Sequence, residues 1–500
     1  MIYYNVNGIL AFEGRNVLTY IMCSITFIFP RLALFLSALR SASDKGAACA
    51  APARNSKTQS TSLPIAHMIY ASRQPLKCQN PFTKWRENMK FDFDKVIDRR
   101  GTGSLKWDVP ENELPMWVAD MDFQTAPCIR EALAARVEHG IFGYSIIPDE
   151  WADAYVNWWG NRHGFAIDRD WLVFCSGVIP AISTAVRKLT TPAENVVVQT
   201  PVYNIFFNSI YNNGRNILES PLKYDGEGYA MDFEDLEAKL ADPQTSLMIL
   251  CNPQNPAGKI WDKETLAHVG ELCAKYGVTV ISDEIHCDLT DPDKEYVPFA
   301  TASDTCRDIS VTCIAPTKTF NIAGIQTAAI VVPDKFLRHK MWRGLNTDEV
   351  AEPNVFAVDA AIAAFTNGGE WLDSLRQYLY ENKQYVRKFI DEKVPGIKVV
   401  YSEATYLLWL DCSGICGAAG EDGNAKALSK FIRKNTGLYM SPGLSYGKNG
   451  KAFIRLNIAC PRSIVEEGMK RLAEGTTAFR KMNAETVNID NAAKKGDIDE

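Results

Sequence analysis

Lys318 stands in "SVTCIAPTKTFNIAGIQTAAIVV" (310–332), between two apolar runs that both read as buried strands. An amine in that setting loses water, so it must be paired or put to use. Burial also lowers a lysine's pKa and makes a neutral nucleophile available. Asp283 lies near the end of a third apolar run, in "ISDEIHCDL", and Asn255 sits in "NPQNPAG" just after a fourth. A carboxylate at the end of a buried strand needs a cation or a donor. Two Asn-Pro steps hold the Asn255 segment extended or turned, so that its amide projects at the strand end. Each of the three has an ordinary explanation alone. Their joint placement at one edge of one sheet is harder to explain without a shared ligand.

The elements that must carry these residues are short and apolar. "WLVFCS" (171–176), "NVVVQT" (195–200), "SLMILCN" (246–252), "TVISDE" (279–284), "SVTCIA" (310–315) and "TAAIVV" (327–332) are rich in Val and Ile. Near-continuous apolar strands belong to parallel or mostly parallel sheets covered by helices. Helical stretches lie between them. "DKETLAHVGELCAKYG" (262–277) spaces Leu266, Val269, Leu272 and Cys273 along one face and stops at Gly277. "DFEDLEAKLAD" (232–242) is shorter. The alternation predicts an α/β domain. From about 360 the pattern changes to one long amphipathic helix (371–394), then "IKVVYS", "TYLLWLDC", "NAKALSKFIRKNTG", "KAFIRLNIAC" and "SIVEEGMKRLAEG", which reads as a smaller α+β domain. The expected division is 89–135 joining the small domain, 136–365 the large domain, 366–478 the small domain, and 479–500 a polar, disordered tail.

In open α/β sheets, ligands bind beyond the carboxyl ends of the strands. Ser176 and Gly177 open a helix there, with Pro180 in its first turn. Backbone N–H groups at such a start bind anions, although an ordinary strand-to-helix turn has the same sequence. His286 and Asp288 follow Asp283 and raise the question of a metal. The chain has six histidines, and no other lies in a comparable motif, so no metal is expected. The chemistry that uses a lysine, an aspartate, an asparagine and a helix start together is that of pyridoxal phosphate. The lysine forms a Schiff base with the aldehyde, the aspartate keeps the pyridine nitrogen protonated, the asparagine bonds the phenolic oxygen, and the helix start holds the phosphate.

Bulk properties exclude other classes. The chain has 500 residues, is 46% hydrophobic and carries a net charge of −6, enough for a large core and without the basic stripe of a nucleic-acid binder. Its 13 cysteines are an odd, scattered set, and Cys175, Cys251 and Cys313 fall in or at the ends of strand-like runs. That is the usage of a reduced cytoplasmic protein. Cys412 and Cys416 lack a second pair at zinc spacing and read as two unrelated thiols on a loop. Residues 1–88 differ from the rest. "VLTYIMCSITFIFPRLALFLSAL" (17–39) is broken by Pro30 and Arg31, leaving 13 uninterrupted residues, short of the ~20 that a membrane helix needs. This segment is read as an extension outside the fold, preceding a natural start at Met89; a signal or anchor is the alternative.

"NPQNPAG", "SDEIH", "TKTFNIAG" and "FIRLNIACP" occur in an order and approximate spacing that resemble fold-type I pyridoxal-phosphate enzymes, the class I/II aminotransferase superfamily. "FDFDKVIDRRGTGSLKWD", "LPMWVADMDF" and "IFGYS" look like the MalY/PatB-type cystathionine β-lyases, over about residues 89–475. The resemblance implies a mostly parallel seven-stranded sheet in a large domain plus a smaller α+β domain, and a homodimer with shared sites. It implies Lys318 as the cofactor-bearing base, Asp283 on the pyridine nitrogen and Asn255 on the phenolic oxygen. It further implies Tyr203 stacked on the ring, Gly177 and Val178 on the phosphate, and Tyr144 reaching the phosphate of the neighbouring subunit. Arg455 would grip the substrate carboxylate. Two positions depart from the wider superfamily: His286 replaces a tyrosine, and Gln326 replaces an arginine bonded to the phosphate, which throws more weight on Thr317 and the backbone. The activity implied is β-elimination from an amino-acid thioether such as cystathionine. An aminotransferase is the alternative within the same chemistry, and a regulatory protein using the fold as a scaffold is the alternative outside it.

Overall fold

The structure is a computed structural model that describes residues 91–416 and 424–496. The extension at 1–88 therefore lies outside the described residues, and the described residues belong to one compact unit. Its centre is a seven-stranded sheet of β1 (Leu172–Cys175), β2 (Asn195–Val198), β3 (Asn216–Glu219), β4 (Thr245–Cys251), β5 (Thr279–Asp283), β6 (Ser310–Ile314) and β7 (Ala328–Val331). The strands lie in the order β1-β7-β6-β5-β4-β2-β3. Only β7 runs antiparallel to its neighbours β1 and β6; the other pairings are parallel. Six strands coincide with the six apolar runs of the sequence. The seventh, β3, is a sheet edge whose side chains are only partly covered, so it lacks a fully apolar run.

Helices cover the sheet because their apolar faces must be buried. Three matter here: α1 (Asp149–His163), α2 (Val178–Leu189) and α3 (Lys263–Lys275). In α3 the Asp262 carboxylate accepts from the Thr265 N–H at 2.7 Å, a cap worth about 1 kcal/mol. Leu266, Val269, Leu272 and Cys273 of α3 are buried, as their spacing predicts. Gly277 follows at φ +70, where a residue with a Cβ would be strained. The helix α1 buries Trp151, Tyr155, Trp158 and Trp159 in one apolar cluster.

A second sheet holds β8 (Lys398–Val399), β9 (Leu407–Asp411), β10 (Ser441–Pro442) and β11 (Phe453–Asn457), in the order β8-β9-β11-β10. The N-terminal segment joins this region: Leu114–Pro115 pairs in parallel with Leu438–Tyr439. The long helix expected at 371–394 is Gly369–Lys393. The last helix runs Arg462–Gly496, so helical structure continues where the sequence suggested a disordered tail from 479. Part of the reason is packing: Phe479 is buried and its ring lies 5.3 Å from that of Phe431. Cys412 follows the strand β9 and Cys416 ends a short helix rather than a loop, its Sγ donating to the Cys412 carbonyl at 3.1 Å.

Candidate active site

Sheet register brings the expected residues to one place. Cys251 of β4 pairs with Asp283 of β5, and Asp283 pairs with Cys313 of β6. The carboxyl ends of three adjacent strands are thus level, and neighbouring strands lie about 4.8 Å apart. Asn255 follows β4 by four residues, Asp283 ends β5, and Lys318 follows β6 on the short helix Pro316–Thr319. Because β7 is antiparallel, Ala328 at its start faces Cys175 at the end of β1. Gly177, which opens α2, therefore lies at the same edge.

The electrostatics follow from burial. Lys318 donates from Nζ to the Ala119 carbonyl at 2.6 Å. Desolvation lowers its pKa to about 8, with Asp120 and Asp283 opposing and Arg455 reinforcing the shift. Asp283 is buried, and loss of water raises its pKa to about 7 although the Ile285 N–H and Lys318 favour the ionised form. His286 is buried and pushed down to about 3 by desolvation, then by Lys318 and Arg455. It is a neutral imidazole at ordinary pH. Arg455 enters from β11, donating from Nη1 to Asn255 Oδ1 at 3.1 Å and from Nη2 to the Trp117 carbonyl at 3.0 Å. Its guanidinium also lies over the Tyr446 ring at 4.8 Å. Tyr203 packs edge-on against Phe206 and is close enough to Tyr406 to affect its ionisation. Thr317 is buried on the same turn as Lys318.

The sequence did not point to the segment that covers this edge. The carbonyls of Trp117, Val118, Ala119 and Asp120 accept from Arg455, Asn457, Lys318 and Asn457 in turn. Tyr406 Oη also donates to Ala119 O at 3.1 Å. Backbone acceptors leave no mark in the residue letters. One signal was available: Arg455 and Asn457 are two apart on a strand, so they share a face, and both reach the same segment.

Two expected positions stand apart. Tyr144 is 103% exposed, in a segment where Ile141, Phe142 and Ile146 are also exposed, and it is not part of the edge formed within one chain. The histidine that meets Asp288 is His163 of α1, not His286. His163, Cys287 and Asp288 place ligand-type atoms within 4.8 Å of one another. Both Asp288 oxygens, however, already accept hydrogen bonds, from Trp158 and His163 on one and Thr319 on the other.

The residues present fit a phosphorylated pyridine aldehyde. Among the described residues, Arg455 Nε, His286 Nδ1 and Trp117 Nε1 are buried polar atoms without a hydrogen-bond partner. Such atoms are uncommon in a finished interior and call for an acceptor or donor from outside the chain. The start of α2 has no side-chain cap, which leaves its first N–H groups for an anion. A buried carboxylate with a raised pKa suits a cationic ring nitrogen, and a lysine with a lowered pKa suits an aldehyde.

Comparison with known proteins agrees with this geometry. Residues 113–472 match the family model described as aminotransferase class I and II. The chain is 44% identical over 387 residues to cystathionine beta-lyase PatB of Bacillus subtilis, covering 76% of this chain and 98% of that protein. It is 36% identical over 398 residues to protein MalY of Escherichia coli, covering 78% of this chain and 100% of that one. Among solved structures it resembles cystalysin from Treponema denticola, which contains a pyridoxal 5′-phosphate cofactor. That match has a TM-score of 0.74 and 31% identity, covering 78% of this chain and 100% of cystalysin.

Proposed function

The chain belongs to the aminotransferase class I and II family, and from that premise we propose that it is a pyridoxal-5′-phosphate-dependent carbon–sulfur β-lyase acting on cystathionine-type thioethers. The observation that carries the reading is the convergence of Lys318, Asp283, Asn255 and Arg455 at one sheet edge, with the lysine amine lowered to about 8. Lys318 would hold the cofactor aldehyde, Asp283 the ring nitrogen and Asn255 the phenolic oxygen. Tyr203 would lie against the ring, and Gly177, Val178 and Thr317 would hold the phosphate. His286, neutral, would add a single N–H or a single acceptor. When bound, the cofactor supplies an electron sink for the pair left at the substrate Cα.

The chain's own groups do the rest. Arg455 holds the α-carboxylate; its Nη atoms are already fixed by Asn255 and Trp117, so the guanidinium is set before substrate arrives. The Lys318 amine removes the Cα proton. The Cβ–S bond then breaks with its electron pair on sulfur, and the thiolate takes a proton. Over the full reaction, cystathionine and water give homocysteine, pyruvate and ammonia. Burial raises the Asp283 pKa to about 7 even with Lys318 nearby, and a protonated ring nitrogen would draw it further toward its charged form.

Further parts of the reading have their own support. The exposed run Ile141–Ile146 favours a homodimer in which Tyr144 serves the partner's site. Buried cysteines in the sheet strands, Cys175, Cys251 and Cys313, favour a reducing, cytoplasmic setting. Among the described residues no helix is long and apolar enough to cross a membrane. The two sheets support a cofactor-binding part at 136–365 and a smaller part at 366–478, to which 89–135 is joined. The test is to load the purified protein with pyridoxal phosphate, add L-cystathionine, and measure thiol and pyruvate. Equal amounts of both are expected. Amino transfer to a keto acid without thiol release would replace the lyase by an aminotransferase, and no turnover of either kind would favour a scaffold.

A further inference from the structure

Lys318 sits on a turn of four helical residues, too short to fix a side chain by itself. Its amine is held by one hydrogen bond, to a carbonyl of another segment. The next residue is tied far more firmly. Thr319 is buried, and its hydroxyl donates to Asp288 Oδ2 at 2.9 Å. Asp288 lies on the loop after β5, the strand that ends at Asp283, and the same loop carries His286. Its side chain is fully buried, and Oδ1 accepts from Trp158 Nε1 and meets His163 Nε2, both at 2.9 Å. Trp158 and His163 belong to α1, which is anchored by its buried aromatic face. One carboxylate thus joins the Lys318 turn, the loop that follows Asp283 and a rigid helix. Burial alone would raise the pKa of this carboxyl, yet the bonds from His163, Trp158 and Thr319 hold it below the ordinary range, so it is a charged acceptor of strong hydrogen bonds. It borders a polar cavity of ≈ 560 Å³ that also has His163, Tyr296 and Arg376 in its wall. The cluster is a polar seam that links the Lys318 turn to α1.

We propose that Thr319 is a positioning residue: its bond to Asp288 fixes the turn that aims the Lys318 amine. This rests on Lys318 being the cofactor-bearing amine. A lysine that must first hold an aldehyde and then reach a Cα proton tolerates little displacement, and a misplacement of about 1 Å costs on the order of 10²-fold in rate. Arg455 is independent of this seam, so substrate grip is untouched.

The test uses the loaded enzyme and four variants. Thr319→Val keeps shape and removes the hydroxyl; Thr319→Ser keeps the hydroxyl. Trp158→Phe takes a donor from the same carboxylate while Thr319 stays bonded, which controls for lost stability. Thr319→Ala replaces the valine variant if that one does not fold. Thr319→Val is expected to lower kcat roughly tenfold with KM within about twofold, and to displace the pH midpoint of the cofactor's absorption band. Thr319→Ser and Trp158→Phe are expected to keep both readouts near the starting enzyme. A Thr319→Val enzyme with unchanged midpoint and kcat overturns the proposal, as does a Trp158→Phe enzyme that moves them equally. An unsubstituted protein with no such band would instead sink the reading of Lys318.

Discussion

The strand-end edge and the segment at 141–146 are opposites. At the edge, Asp283, His286, Asn255 and Arg455 are buried, and hydrogen bonds from three strand ends and the 117–120 segment hold the group in place. At 141–146, Ile141, Phe142, Tyr144 and Ile146 face solvent. The first region is chemically strained: an acid kept partly neutral, a base kept partly neutral, and buried polar atoms without partners. The second has apolar surface and no chemistry of its own. The contrast teaches that one chain builds the reactive part of a site, whereas the exposed run would be covered by a second copy only under the proposed homodimer.

The largest effect that could break this contrast is at Lys318. Lys318→Ala should abolish the cofactor's near-visible absorption and lower elimination by more than about 10⁴-fold, measured by pyruvate release. Retained turnover would move the reactive centre elsewhere. Next comes Asp283→Asn, which should cost about 10²–10³-fold in kcat, an effect typical of losing a preorganised charge. The same change should help the cofactor-free protein. Asp283 has a folded pKa of about 7, above an unfolded value near ~3.9. Its contribution to stability is therefore fully present below the unfolded value and is lost as pH rises through about 7. The melting temperature of cofactor-free Asp283→Asn should exceed that of the parent at pH 8 and match it at pH 4. A gain at pH 4 as large as at pH 8 would contradict the buried-charge account. Arg455→Lys ranks third. It loses the two-pronged geometry but keeps the charge, so KM should rise about 10–100-fold with a smaller loss of kcat.

How much of this was legible follows from where information is stored. Asn255, Asp283 and Lys318 could be read because apolar strands announce their own ends, and ligands gather at such ends. Arg455 and Tyr203 came only from resemblance, since nothing in "FIRLN" or "TPVYNIF" alone demands a ligand. The edge strand Asn216–Glu219 was missed because a half-covered strand needs no apolar run. The last helix outruns the expected boundary because a polar sequence reads as disordered, whereas Phe479 of that helix packs against Phe431. The carbonyls of Trp117–Asp120 and the link from Asp288 to Thr319 depend on tertiary placement, and no local pattern encodes that. The sequence places His286 beside Asp288, but the histidine that meets Asp288 lies 125 residues away in sequence.

The smallest effect belongs to the exposed region, and it is the most specific test of the contrast. Tyr144→Phe removes one hydroxyl and no apolar surface, so a dimer should persist in sedimentation. If that hydroxyl reaches the partner's phosphate, it donates to a charged group, an interaction worth about 1.5–3 kcal/mol. Cofactor dissociation should then be roughly tenfold faster or more. Turnover with pyridoxal phosphate in excess should change by less than about twofold, because Lys318 and Arg455 stay in place. Dilution sharpens the point: cofactor retention should fall at protein concentrations where the dimer separates, even in the unsubstituted enzyme. Retention independent of both the hydroxyl and the dilution would mean that the edge within one chain is complete, and that the exposed run serves something other than the site.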